Sequence, residues 1–158
     1  MCGRMVLTRS AREIAEAFDV DGEVEDCELG PRYNVAPSQD ILGLRIGPGG
    51  ARQPSLLHWG LIPSWSKQRP TGYRLINARS ETAAEKPSFR EALLRRRCIV
   101  PIDGFYEWQA GDGKGRKAPK IPYFFSHPHG KALAIAGLWE SWTDLASGEI
   151  VESCSLLT

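Results

Sequence analysis

Ile41-Leu42-Gly43-Leu44-Arg45-Ile46, running into Gly47-Pro48-Gly49-Gly50, is the stretch that decides the fold class. Six mostly apolar residues are short for a helix, and the Gly-Pro-Gly-Gly stop behind them is turn chemistry, so the segment reads as a strand. The pattern recurs along the chain. Pro54 to Trp59, Cys98 to Ile102, Tyr123 to Phe125, Ala132 to Trp139 and Glu149 to Leu157 are further short apolar runs read as strands. Gly111-Asp112-Gly113-Lys114-Gly115 reads as a mobile loop or a hairpin tip.

Two helix starts stand out among these runs. Ser10-Ala11-Arg12-Glu13 has the S-x-x-E spacing of a capping box, and Ile14, Ala15 and Phe18 form one apolar stripe behind it, which predicts a helix over 11–18. Ser88-Phe89-Arg90-Glu91 repeats the device before Ala92-Leu93-Leu94 and predicts a second helix over 89–95. The sum is an α+β, β-rich single domain with a curled or barrel-like sheet and short flanking helices.

The 158 residues, 42% hydrophobic and 25% charged, have the profile of a folded chain with one core, which excludes a disordered tail. No apolar run reaches the roughly 18 residues of a membrane span, and the N-terminus lacks the apolar core of a secretory signal. A protein of the cytoplasm or, in a eukaryote, the nucleus is the expectation, monomeric and without a membrane partner. Ile150 to Leu157 reads as a strand, and the chain stops at Thr158 without a polar tail, so a C-terminal part is expected to be absent.

The net charge of +1 hides an asymmetry. Eight acids and no Lys or Arg fall between residues 13 and 28, which leaves 20 bases against 11 acids elsewhere, so a locally basic face is possible on a near-neutral protein. Arg95-Arg96-Arg97 and Lys114, Arg116, Lys117 and Lys120 are the clusters that would supply it. Solvated surface charge explains such clusters about as well. Cys2, Cys27, Cys98 and Cys154 form no CxxC pair, and His127 and His129 sit in a turn-like segment without a nearby thiol or carboxylate. Neither a metal nor any other cofactor is expected.

Cys2 is the residue with the most chemistry. Removal of Met1 would put a free α-amine, titrating at about 7.7–8.0, beside a thiol titrating at about 8.5. An aldehyde meeting this 1,2-aminothiol forms an imine with the amine, and the sulfur then closes a thiazolidine ring. Judged by position alone, a second-residue cysteine is more often buried and inert.

Met1-Cys2-Gly3-Arg4, Arg32-Tyr33-Asn34-Val35-Ala36-Pro37, Trp59-Gly60-Leu61-Ile62-Pro63-Ser64-Trp65, Leu75-Ile76-Asn77-Ala78-Arg79-Ser80-Glu81-Thr82 and Pro101-Ile102-Asp103-Gly104-Phe105-Tyr106-Glu107-Trp108 shift that balance. Five motifs in this order, from Cys2 to Thr158, closely resemble the SOS-response-associated peptidase (SRAP) family of abasic-site processing proteins. The resemblance implies a β-rich fold around a basic groove for single-stranded DNA. In it the N-terminal cysteine crosslinks covalently to the ring-opened aldehyde of an abasic site.

Carried over residue by residue, the resemblance makes Cys2 the nucleophile, Asn77 a hydrogen-bonding group near the α-amine and reacting sugar, and Glu107 the proton shuttle. It implies phosphate contacts for Arg4 and Arg79, a stacking platform or wedge from Trp65, Trp108 and Pro37, and lining roles for Asn34 and Thr82. Trp59 and Trp139 are expected in the core. The family pattern continues beyond Leu156-Leu157-Thr158 to a His-x-Arg-Met-Pro motif, so neither His127 nor His129 takes that histidine's role. Two other functions compete: an N-terminal-nucleophile peptidase that removes its own Met1, and a noncovalent single-stranded DNA-binding module indifferent to Cys2.

Overall fold

The computed structural model describes residues 3–20, 27, 30–69, 75–111 and 119–158. Ten strands and three short helices make up these parts: β1 (Met5–Leu7), α1 (Ala11–Phe18), β2 (Arg32–Val35), β3 (Asp40–Ile46), β4 (Arg52–Trp59), β5 (Asn77–Ala78), α2 (Ser80–Ala83), α3 (Arg90–Arg95), β6 (Arg97–Ile102), β7 (Gly104–Ala110), β8 (Lys120–Ser126), β9 (Leu133–Thr143) and β10 (Ile150–Leu157).

Five strands close a barrel. β3 pairs with β4 and β6, β6 with β9 and β9 with β10, all antiparallel, and β10 returns to β4 in parallel through Ser153 opposite His58 and Cys154 opposite Trp59. Closure leaves the barrel strands without a free edge. Where β4 leaves β10, β5 takes its place, with Asn77 opposite Leu156 and Ala78 opposite Leu157. That substitution carries Asn77 to the barrel rim. A second, fully antiparallel sheet runs β2-β1-β7-β8.

Alternate residues explain the packing. Ile41, Leu57, Trp59, Cys98, Val100, Ile102, Cys154 and Leu156 fill the barrel, and Met5 and Val35 of the second sheet pack on the same cluster. Leu42 and Leu44 face outward against Ile14 of α1, and Leu138 packs outward with Ala83 of α2 and Phe89 and Ala92 around α3. Burial pushes the Cys98 thiol up to about 12, and Cys154 is shifted in the same direction by its burial. Both thiols therefore stay protonated. Arg45 sits on the Trp139 ring, 4.5 Å from its centroid, and pairs with Glu152 at 2.6 Å.

The chain crosses from barrel to second sheet at Asp103, between β6 and β7. Its carboxylate accepts from the Thr8 backbone N–H at 2.6 Å, the Thr8 hydroxyl at 2.7 Å and Arg9 Nε at 2.7 Å, while its own N–H donates to Val6 at 2.8 Å. Burial alone would raise the pKa of Asp103, but the bonds from Thr8 and Arg9 outweigh it and hold the carboxyl below its usual range. Gly104 follows because a Cβ there would meet the Phe125 carbonyl at 2.5 Å.

Helix α1 spans the predicted residues, and its capping box is formed: Ser10 accepts from the Glu13 N–H while Glu13 accepts from Ser10. The second box is not. Helix α3 starts at Arg90 with Phe89 as its cap and no side-chain bond to it, because an upstream turn supplies the Lys86 carbonyl to the N–H groups of Phe89 and Arg90 at 2.9 Å each. Phe89 is instead buried against Leu138 and Ala92. Strand β9 runs four residues past the predicted Trp139, and β1, β2, β5, β7 and α2 were not foreseen as elements. The predicted hairpin forms from β7 and β8, Ala110 opposite Lys120; residues 112 to 118 of its tip lie outside the described residues.

The Arg95-Arg96-Arg97 run does not act as one patch. Arg95 pairs with Glu91 at 3.3 Å, Arg96 turns inward to Glu140 at 2.5 Å, and Arg97 is exposed on β6. Of the acidic run, Glu13 serves the α1 cap, Glu16 pairs with Arg12 at 3.5 Å, and Asp19 ends the helix with φ 48°. Asp21, Glu23, Glu25, Asp26 and Glu28 lie outside the described residues.

Candidate nucleic-acid interface

The second sheet builds an aromatic cleft from residues of β2, β7 and β8 and from Arg4 just before β1. Tyr106 N–H donates to the Arg4 carbonyl at 3.0 Å, which sets Arg4 beside Tyr106 at the start of β1. Tyr106 and Trp108 share one face by the two-residue strand period, their ring centroids 6.5 Å apart, with Phe124 5.0 Å from Tyr106. Arg4 Nη1 donates to Asn34 Oδ1 at 2.9 Å. Together Arg4, Tyr33, Asn34, Tyr106, Trp108 and Pro122 line a cavity of about 520 Å³. A guanidinium, an amide and three aromatic rings suit phosphate and stacked bases.

Glu107 takes the opposite face. It lies opposite Tyr123 on β8, and a second cavity of about 360 Å³ is lined by Glu107, Trp108, Gln109, Tyr123 and Phe125. Its neighbour on that face, Phe105, stacks on Phe125 at 5.2 Å and packs on the barrel core. The carboxylate thus belongs to the side of the sheet turned toward the barrel, and the Trp108 ring, beside Tyr106, to the other.

Trp59 ties the remaining predicted residues to this frame. Fully buried at the end of β4, it donates from its indole Nε1 to the Ile76 carbonyl at 3.0 Å, which fixes the residue before Asn77. Its backbone carbonyl accepts from Ser38 at 2.8 Å, which fixes the turn carrying Pro37. From Trp59 the chain enters the loop that presents Trp65, a residue 64% exposed. Arg79 is exposed at the start of α2, and its carbonyl accepts from Thr82 at 3.1 Å.

The predicted residues therefore fall into four places on one frame: Arg4, Asn34 and Trp108 in the cleft, Glu107 on the other face of β7, Asn77, Arg79 and Thr82 along β5 and the start of α2, and Pro37 and Trp65 on loops anchored at Trp59. Cys2 lies outside the described residues. Among the described residues no three His, Cys, Asp or Glu side chains gather as a metal site, and no helix is long and apolar enough to cross a membrane.

The family model described as SOS response associated peptidase (SRAP) matches residues 1–158. The chain belongs to the SRAP family. It is 43% identical over 158 residues to the abasic site processing protein YoqW of Bacillus subtilis, covering all of this chain and 68% of that protein. It is 32% identical over 160 residues to the abasic site processing protein HMCES of Mus musculus, covering 81% of this chain and 45% of that one. A crystal structure of a protein from Bacteroides thetaiotaomicron superposes with a TM-score of 0.83 at 30% identity, covering 99% of this chain and 67% of that one.

For this SRAP chain the sequence reading missed three residues of the cleft and the anchoring part played by Trp59. Tyr33, Tyr106 and Pro122 join Arg4, Asn34 and Trp108 at the cavity. The signal for Tyr106 was present, since it stands two residues from Trp108 on a strand and must share its face. Pro122 had no such signal, because only the β7–β8 register brings it opposite Trp108. Trp59 packs in the core as expected, yet its polar edge and backbone also fix the segments that carry the candidates Asn77 and Pro37.

Proposed function

We propose that this protein processes abasic sites in DNA, binding the damaged single strand across the aromatic cleft and joining Cys2 covalently to the sugar aldehyde. The observation that carries the reading is the position of Arg4 in a cleft with Tyr106 and Trp108. Chain connectivity keeps Cys2 within about 7 Å of Arg4, so a phosphate held there lies within reach of the aminothiol. The likeness to relatives named abasic site processing proteins supports the same reading.

In the proposed reaction the α-amine of Cys2 adds to the aldehyde and water leaves, forming an imine. The thiol then adds across the C=N bond, sulfur to carbon and proton to nitrogen, closing a thiazolidine. Glu107 accepts and returns the protons, and Asn77 orients the amine and sugar. Arg4 and Arg79 hold phosphates, while Trp65, Trp108 and Pro37 keep the flanking bases apart, with Asn34 and Thr82 lining the path.

The test is intact mass after incubation of protein beginning at Cys2 with single-stranded DNA containing one abasic site. The expected product is protein plus DNA less one water, stable to heat. Cys2→Ser should give at most an imine that needs reduction to be trapped, and a stable adduct of normal yield from that variant would sink the thiazolidine route. The word peptidase in the family's description motivates a second reading, in which the protein removes its own Met1 to expose Cys2. Retention of Met1 in Cys2→Ala, with its loss from wild type under the same purified conditions, would support it.

A further inference from the structure

Trp65 stands exposed on a loop that is otherwise bolted down. The turn around it closes through the Ser66 N–H on the Pro63 carbonyl at 2.9 Å. On one side of the indole, Ser64 donates from its hydroxyl to Glu140 Oε2 at 3.0 Å. On the other, Trp142 donates from Nε1 to the Ser66 carbonyl at 2.7 Å. Three residues before Trp65, the Ile62 N–H donates to the Ser153 hydroxyl at 2.9 Å.

The grip comes from strands of the closed barrel. Glu140 and Trp142 alternate on the outward face of β9, and Ser153 lies on β10 beside them. Glu140 is 5% exposed and Trp142 2%. A carboxylate so deeply placed is tolerated because Arg96, at the end of α3, meets its other oxygen at 2.5 Å. The Arg96–Glu140 pair thus joins α3, the barrel and the Trp65 loop.

We infer that Glu140, backed by Arg96 and assisted by Trp142, is a positioning residue that holds the backbone on both sides of Trp65, presenting its ring as a preset stacking surface for unpaired DNA. The inference rests on the proposed DNA-binding role of Trp65 and adds the device that serves it. A ring presented from a fixed turn loses less conformational freedom on stacking than one carried by a loose loop, so the grip is read out as affinity.

Glu140→Gln strips the charge facing the half-buried Arg96 and can unfold the chain, so the gripped side is varied instead. Ser64 is exposed, and Ser64→Ala removes only its hydroxyl bond. Trp142→Phe removes the bond to Ser66 and keeps an aromatic ring. Affinity is measured by anisotropy with a labelled single-stranded oligonucleotide carrying a tetrahydrofuran abasic analogue, which has no aldehyde to react.

Each variant should bind roughly three- to tenfold more weakly than wild type, while Ser64→Thr, which keeps the hydroxyl, should bind as wild type does. In a Trp65→Ala background the same substitutions should change affinity by less than about twofold, since the group they position is gone. Equal losses in both backgrounds, or no loss in either, overturn the inference. So does a Trp65→Ala protein that binds as wild type. Failure of the wild-type protein to bind the oligonucleotide at all would instead strike the DNA-binding proposal itself.

Discussion

The indole of Trp59 donates to the Ile76 carbonyl across 3.0 Å of barrel interior, so one buried side chain sets the residue that precedes Asn77. Trp59→Phe keeps most of the packing and removes that bond, leaving the Ile76 carbonyl with its other bond, from the Leu156 N–H at 3.0 Å. The expected cost is about 0.5–1.5 kcal/mol of stability, read by urea unfolding. Adduct formation should slow as well, because Asn77 loses one of the two bonds that fix the residue before it. An unchanged reaction time course would separate Asn77 from the role proposed for it.

Glu107 and Trp108 are adjacent on β7 and lie on opposite faces, so their substitutions should be separable. Glu107→Gln preserves shape and removes the proton shuttle, and crosslinking should slow by about 10²–10⁴-fold with noncovalent affinity nearly unchanged. Time courses at saturating abasic single-stranded DNA give the first quantity, and anisotropy gives the second. A Glu107→Gln rate equal to that of wild type would make the carboxylate a bystander.

Arg4 and Arg79 are proposed to hold phosphates, and Trp108 to stack. Arg4→Ala or Arg79→Ala should reduce the slope of log affinity against log salt by about 0.7 for a single strand. Trp108→Ala should cost about 1–3 kcal/mol of binding with little change in slope. An anisotropy series over salt tests both, and arginine variants that keep the wild-type slope would move the phosphate track elsewhere.

Asp103 predicts an acid limit to stability. Its folded-state pKa is depressed below the unfolded value, so its contribution is complete above the unfolded pKa of about 3.9 and is lost as pH falls through the folded one. Asp103→Asn should therefore be less stable than wild type by about 1–3 kcal/mol at neutral pH. The gap in urea midpoint should narrow only below about pH 4. A gap constant down to pH 2 would mean that the carboxylate charge contributes nothing.

Much of the local structure was legible because local rules governed it. Ser10 and Glu13 lie one helical turn apart and cap α1 by themselves, and Ile41 to Ile46 was a strand on its apolar content and the turn behind it. Ser88 and Glu91 had the same spacing and failed to form a box, because burial of Phe89 and an upstream turn had already satisfied the helix start. β5 escaped notice for a related reason: two residues carry no period, and Asn77-Ala78 is a strand only because β10 offers an edge where β4 leaves it.

The sequence by itself determined that this is a β-rich domain of the SRAP family, and it named the candidate site residues, since strand period, turn residues and motif order are properties of neighbours along the chain. Only the tertiary structure decided that Pro122 comes opposite Trp108 at the cleft, that Arg96 turns inward to Glu140 while Arg97 stays at the surface, and that Trp59 anchors both Pro37 and Asn77. Those relationships arise from barrel closure and strand register. They join residues tens of positions apart, and no local pattern encodes which of several buried partners a polar group will meet.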